Sequence, residues 1–104
     1  MTERPGHASA LYSIVLSGEV DDPAQLVDIE DAYRGGTAVD IVVDVDEVTY
    51  LGGAGLQTLA VLCADAAERG GTVTVVRAPS QVAKAIQTSG LDRLLVLADV
   101  PRQG

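Results

Sequence analysis

The chain has 104 residues, 15 acidic against 7 basic side chains for a formal charge of −8, a single Cys, and neither Phe nor Trp. That length fits one domain with little room for a second. The acidic balance argues against nucleic acid or an anionic membrane as a partner, because both need clustered Lys and Arg, and it favours a protein partner with a basic groove. With no Phe or Trp the core must be built from Val, Leu, Ile and Ala, and it offers no aromatic platform for stacking bases.

Met1 to Ser9 is polar, contains Pro5 and Gly6, and lacks the apolar run of a signal peptide. It reads as a frayed lead-in (residues 1–9) to one domain over 10–100, with a tail over 101–104. Ala10 to Leu16 is the first predicted strand, closed by Ser17-Gly18. A helix follows with agreeing signals: Asp22 as N-cap, Pro23 at the first helical position, and Gln25 three residues after the cap. Leu26, Ile29 and Tyr33 share one face at helical spacing, and Gly35-Gly36 stops the helix.

Asp40 to Val45 is the strongest predicted strand. Its continuously apolar centre suggests helices on both faces. The glycine-rich corner Gly52-Gly53-Ala54-Gly55 comes next, then a helix predicted over Leu56 to Arg69 and stopped by Gly70-Gly71. Thr72 to Val76 is a strand. Pro79-Ser80 opens a further helix with Val82, Ala85 and Ile86 inward and Gly90 as its stop. Leu94 to Val100 is a last strand-like segment. Alternating strands and helices imply an α/β domain whose largely parallel sheet is joined by right-handed crossovers.

Chemistry is harder to find. His7 is the only histidine and falls in the polar lead-in, so a His-based triad or a His-rich metal site has no second member. Cys63 lies mid-helix among Leu56, Leu59, Ala60 and Ala67. It reads as a buried, inert thiol rather than a redox sensor. One unpaired Cys and no apolar stretch near the roughly 18 residues of a membrane span fit a reducing cytoplasm. Asp44, Asp46 and Glu47 stand near the end of the central strand, where ligands bind in open α/β sheets. Paired carboxylates there could bind Mg²⁺; the preferred reading is that Asp46 and Glu47 are solvated loop charges.

The glycine corner exposes backbone N–H groups at a helix start, a place where an anion or a partner can bind. It carries no Lys or Ser/Thr for a phosphate-binding loop, and its glycine spacing only partly matches a dinucleotide fingerprint. No reaction emerges, and a binding module without a cofactor is the preferred reading.

Five segments in order resemble STAS domains. Leu16-Ser17-Gly18-Glu19-Val20-Asp21 resembles "L-x-G-E-L-D". Asp44 to Leu51 resembles "D-L-S-x-V-x-F-(I/L/M)". Gly55-Leu56 matches the "G-L" that opens the second helix. Gly71 to Val76 followed by Pro79-Ser80 resembles "G-x-x-L-x-L-x-x-x-S-P". Thr88-Ser89-Gly90-Leu91-Asp92-Arg93-Leu94 resembles "L-x-x-T-G-L-x-x-x-F". The resemblance covers Leu11 to Leu97. It implies a single STAS-like α/β domain with a mixed, mostly parallel sheet of four to five strands and helices packed on it.

Small free-standing members of that family are typically anti-sigma factor antagonists. The resemblance implies an anti-sigma factor, often a serine kinase, as partner, no membrane insertion, and a monomer or weak homodimer. The implied docking surface is the corner Leu51, Gly52, Gly53, Ala54, Gly55 and Leu56, the exposed helix face Gln57, Thr58 and Val61, and Asp21-Asp22. The family's phosphoacceptor lies in "D-S-(S/T)-G-L", where this chain has Gly52, Gly53 and Ala54 before Gly55-Leu56. Gly53 stands in place of the serine, and Thr49 and Thr58 are the nearest aliphatic hydroxyls. The expectation is an antagonist that is not switched by phosphorylation at that position. The alternative is a scaffold or regulatory subunit of a larger assembly, such as a lipid-trafficking ABC transporter or a sensory complex. Nucleotide binding at the corner is a third reading.

Overall fold

Residues 11–98 are described in the computed structural model. The lead-in with His7, the predicted strand start at Ala10, the strand end at Val100 and the tail lie outside the described residues. Strands β1 (Leu11–Val20), β2 (Asp40–Leu51), β3 (Val73–Val76) and β4 (Val96–Ala98) alternate with helices α1 (Pro23–Gly35), α2 (Gly53–Glu68) and α3 (Ser80–Ser89), and a 3-10 turn, Leu91–Arg93, precedes β4. The sheet runs β1-β2-β3-β4, and every pairing among the described strands is parallel.

Strands added in sequence order, with right-handed crossovers, put every helix on the same face. Burial follows that rule. Ile14 and Leu16, Ile41, Val43 and Val45, and Val73 and Val75 are buried, while Leu11, Val15 and Val96 are exposed. Val42, Asp44, Thr74 and Val76 are only half-buried. The expectation of helices on both faces of β2 is therefore corrected. Its apolar run reflects a central strand whose outward side chains are flanked by neighbouring strands, not a second helix layer.

The inward alternation is reset twice at the end of β2. Val15 aligns with Asp44 and Ser17 with Glu47; Gly18 aligns with Val48 and Glu19 with Tyr50. At each shift β2 carries one residue more than β1, a bulge that changes which side faces the core. Val48 and Leu51 thereby join the buried cluster while Asp46, Glu47, Thr49 and Tyr50 stay exposed.

The helix signals act as the sequence suggests, with differences at the ends. Asp22 caps α1, its carboxylate accepting from the Ala24 N–H at 3.0 Å, Pro23 is the first helical residue, and Gly36 ends the helix. Helix α2 starts at Gly53, three residues before the predicted Leu56. In α3 Val82, Ala83 and Ile86 are buried, so Ala83 holds the inward place expected for half-buried Ala85.

Tyr33 is the aromatic member of the buried core cluster. Its hydroxyl donates to the Val39 carbonyl at 2.9 Å and its ring stacks on Tyr12. Arg69, at the end of α2, lies 4.2 Å from the Tyr33 ring centroid and donates to the carbonyls of Arg34 and Ala38. One guanidinium thus satisfies carbonyls around the end of α1 and fixes it to the end of α2.

Cys63 is buried on α2, and burial pushes its thiol up to about 11. A group so shifted holds almost no thiolate near neutral pH. Iodoacetamide should leave Cys63 unlabelled in the folded protein and label it fully in denaturant. Prompt labelling under native conditions, read by intact mass, would contradict the inert reading.

Candidate functional site

Strands β1 and β2 reach the same edge of the sheet with Val20 opposite Leu51. The Gly52 N–H donates to the Val20 carbonyl at 3.0 Å, so the two strand ends are tied where α2 begins. Gly52 is the N-cap, with φ −88° and ψ −175°, extended backbone open to any residue. A glycine cap has no side chain to receive the first helical N–H groups. Asp21 supplies the acceptor from the neighbouring strand end: its Oδ1 accepts from the Ala54 N–H at 3.1 Å. A Cβ on Gly52 would come within 2.2 Å of that carboxylate's Cγ and Oδ1. Asp21 therefore occupies the room of the missing side chain and performs its capping role.

The other two corner glycines differ from each other. A Cβ on Gly55 would fall 2.6 Å from the Val20 carbonyl oxygen and 2.6 Å from Leu51 Cδ1, so glycine is what lets α2 approach the strand ends. At Gly53 a Cβ would meet nothing within 4 Å. The fold does not require glycine there, and the absence of a hydroxyl at that position is chemical rather than steric.

Beside the corner runs a groove of about 220 Å³, between Pro23, Val27 and Glu30 of α1 and Ala54, Gln57, Thr58 and Val61 of α2. Four residues expected to bind a partner, Ala54, Gln57, Thr58 and Val61, are thus brought together on one wall. Asp21, Asp22, Gly53 and Gln57 are exposed, and Ala54, Leu56 and Val61 are half-buried. Leu51, Gly52, Gly55 and Thr58 are buried. The expectation that Thr58 lies on an exposed face is corrected: it is buried, 7% exposed, between the core-facing positions of α2 and the groove it lines. Burial also removes Thr58 as a ready substitute for the phosphoacceptor. Thr49 is exposed, and its carbonyl accepts from Gln81 at 2.7 Å.

The facing wall was missed. Val27 is 46% exposed and lies off the buried stripe of Leu26 and Tyr33. Pro23, Val27 and Glu30 follow one another at four- and three-residue spacing, so they form one line along the helix. A valine breaking the polar side of α1 was the available signal. At the far end of the groove walls, Arg34 of α1 pairs with Asp65 of α2 at 3.0 Å.

The corner does not present a vacant anion site. The Ala54 N–H is already engaged by a carboxylate, and negative charge there opposes an incoming phosphate. On β2, Asp46 and Glu47 are exposed strand residues rather than the loop charges expected, because β2 runs on to Leu51, and the Asp44 carboxylate is likewise committed. Asp44 pairs with Arg77 and accepts from the Asp46 N–H, and these two contacts hold its carboxyl below the usual range, the Arg77 hydrogen bond most strongly. Asp44 sits on the helix-free face of the sheet, beside Val42 in the alternation. Among the described residues no group of three or more His, Cys, Asp or Glu side chains is placed to hold a metal ion. Among them, too, no helix is long and apolar enough to cross a membrane.

Comparison with known proteins agrees with this architecture. The profile of a family described as "Mlab, STAS domain" matches residues 4–97. Among solved structures, a SulP transporter STAS domain from Vibrio cholerae superimposes with a TM-score of 0.70 at 22% identity, over 83% of this chain and 68% of that one. A search of curated proteins gave no match.

The two open and closed glycine positions give a direct contrast. Gly55→Ala should lower stability by about 1–3 kcal/mol, as overpacking against a fixed carbonyl does, whereas Gly53→Ser should change it by less than about 0.5 kcal/mol, as for an ordinary surface substitution. Urea denaturation of both variants checks this, and equal losses would show that the corner is not packed as described.

Proposed function

From the premise that the chain belongs to the STAS domain family, we propose that it is a non-catalytic docking module, an anti-sigma factor antagonist that is not switched by phosphorylation at the usual position. The observation that carries this reading is the corner itself. The strand-to-helix geometry is retained, and Gly52-Gly53-Ala54-Gly55 contains no hydroxyl, although a side chain at Gly53 would have open space. A phosphate there would add close to two negative charges beside the groove, and the chain has no atom at that position to carry it.

The groove supports a partner of a particular kind. Val27, Val61 and Pro23 offer apolar contact, Gln57 offers hydrogen bonds, and Glu30 with Asp21 and Asp22 gives an acidic rim. An apolar anchor flanked by Lys or Arg fits that surface. The anti-sigma factor would present such a segment, and binding it would release the sigma factor.

A second reading has its own support. The matching family profile is described by the name Mlab, and the similar solved domain is that of a transporter. On this reading the same surface docks onto a membrane transport assembly, as the STAS subunit of a lipid-trafficking ABC transporter.

Incubation with a candidate anti-sigma kinase and ATP tests the first reading. The expected result is a stable complex with no phosphate on this protein, while Gly53→Ser gains phosphate and loses at least about tenfold in affinity, the effect of a like-charge contact near 1.4 kcal/mol. Stoichiometric phosphorylation of the unmodified chain would refute the missing switch. Co-purification with an ATPase and permease instead of an anti-sigma factor would establish the second reading.

A further inference from the structure

We infer that Asp21 and Asp22 act as one positioning element for the groove: a single dipeptide caps both helical walls, with Asp21 serving as the side chain that Gly52 lacks. Asp22 accepts from the Ala24 N–H at 3.0 Å and starts α1; Asp21 accepts from the Ala54 N–H at 3.1 Å and starts α2. The two residues are adjacent in the chain, so the caps cannot move independently. The N-termini of α1 and α2 are thereby held side by side where Pro23 and Ala54 form the mouth of the groove. The opposite ends are held by Arg34 with Asp65 and by Arg69 on the last carbonyls of α1. Both walls are fixed at both ends, and the exposed residues between them, Val27 and Gln57, contribute to the groove rather than to the restraint.

The space at Gly52 makes the relation with Asp21 reciprocal. The backbone at Gly52 already has N-cap dihedrals that Asp, Asn, Ser and Thr adopt readily. What excludes a side chain there is the Asp21 carboxylate, which is itself a side chain and can move. The cap can therefore be supplied from position 21 or from position 52, but not from both at once. Asp21 and Asp22 then bear on docking as positioning residues in addition to the charge they give the rim. That bearing rests on the docking reading above, whereas the capping relation stands without it.

A mutant cycle on the full chain separates the two. Asp21→Ala should lower Tm by about 4–8 °C, the effect of losing one cap in a domain of this size. It should also shift the Ala54 amide resonance and the Val27 and Val61 methyl resonances, while the Val75 methyls in the core stay in place. Asp21→Asn, which keeps an accepting oxygen, should retain the native Tm. Gly52→Asp alone should destabilise, and Asp21→Ala with Gly52→Asp should recover both Tm and the groove resonances. An unchanged Ala54 amide in Asp21→Ala, or no recovery in the double variant, overturns the inference. If Asp21→Ala does not fold, the double variant decides: a folded protein with native groove resonances supports the exchange, and an unfolded one refutes it. These measurements need no partner, so a failed complex with every anti-sigma factor tried would count against the docking reading alone.

Discussion

Parallel strands laid down in the order of the sequence force each right-handed crossover onto the same side, and this one-directional winding organises the molecule. It gathers α1, α2 and α3 against the inward residues Ile41, Val43 and Val45, which are fully buried. It also brings the C-terminal ends of the strands and the N-terminal ends of the helices to a common edge. Val20, Asp21, Leu51 and Gly52 meet there because β1 and β2 are neighbours that finish together. The corner and the groove beside it are consequences of that meeting.

At that edge two demands are satisfied by different glycines. Helix α2 must come close to the strand ends, and Gly55 permits it. The first N–H groups of α2 need an acceptor, and Gly52 cannot give one, so an adjacent strand end does. In this chain a carboxylate from another part of the sequence does the capping. The corner carries the charge of Asp21, and Gly52 to Gly55 contain no hydroxyl.

Much of this was legible in the sequence because it is local. Asp22, Pro23 and Gly36 bound α1 through capping chemistry that acts within a few residues. The order of elements, and hence the parallel sheet, follows from apolar periodicity punctuated by glycines. The start of α2 was misplaced because Gly53 and Gly55 are poor helix formers in isolation. Their helical state depends on the Asp21 carboxylate and on contact with Val20, both more than thirty positions away in the chain. The faces of β2 were misjudged because Val42 and Val43 look alike in sequence, while only the direction of the crossovers decides which is covered. Two bulges hid the inward turn of Val48 and Leu51, and Val27 escaped notice because one apolar residue on a polar helix side is common. Thr58 shows the converse: a polar residue buried because its helical position, not its chemistry, sets it between the core and the floor of the groove.

The helix-free face of the sheet sets a colloidal constraint on the molecule. Among the described residues nothing packs over Leu11, Val15 and Val96, and Val15 is 71% exposed. Apolar side chains exposed on such a face, though interrupted by the Asp44–Arg77 pair, favour contact between copies unless something holds molecules apart. The charge of −8 does that at neutral pH through mutual repulsion. As the solution approaches the sequence pI of about 4.3 the repulsion fades and the exposed Leu11, Val15 and Val96 are less shielded from contact. The excess of carboxylates thus bears on contacts between copies of this protein as well as on the partners it favours.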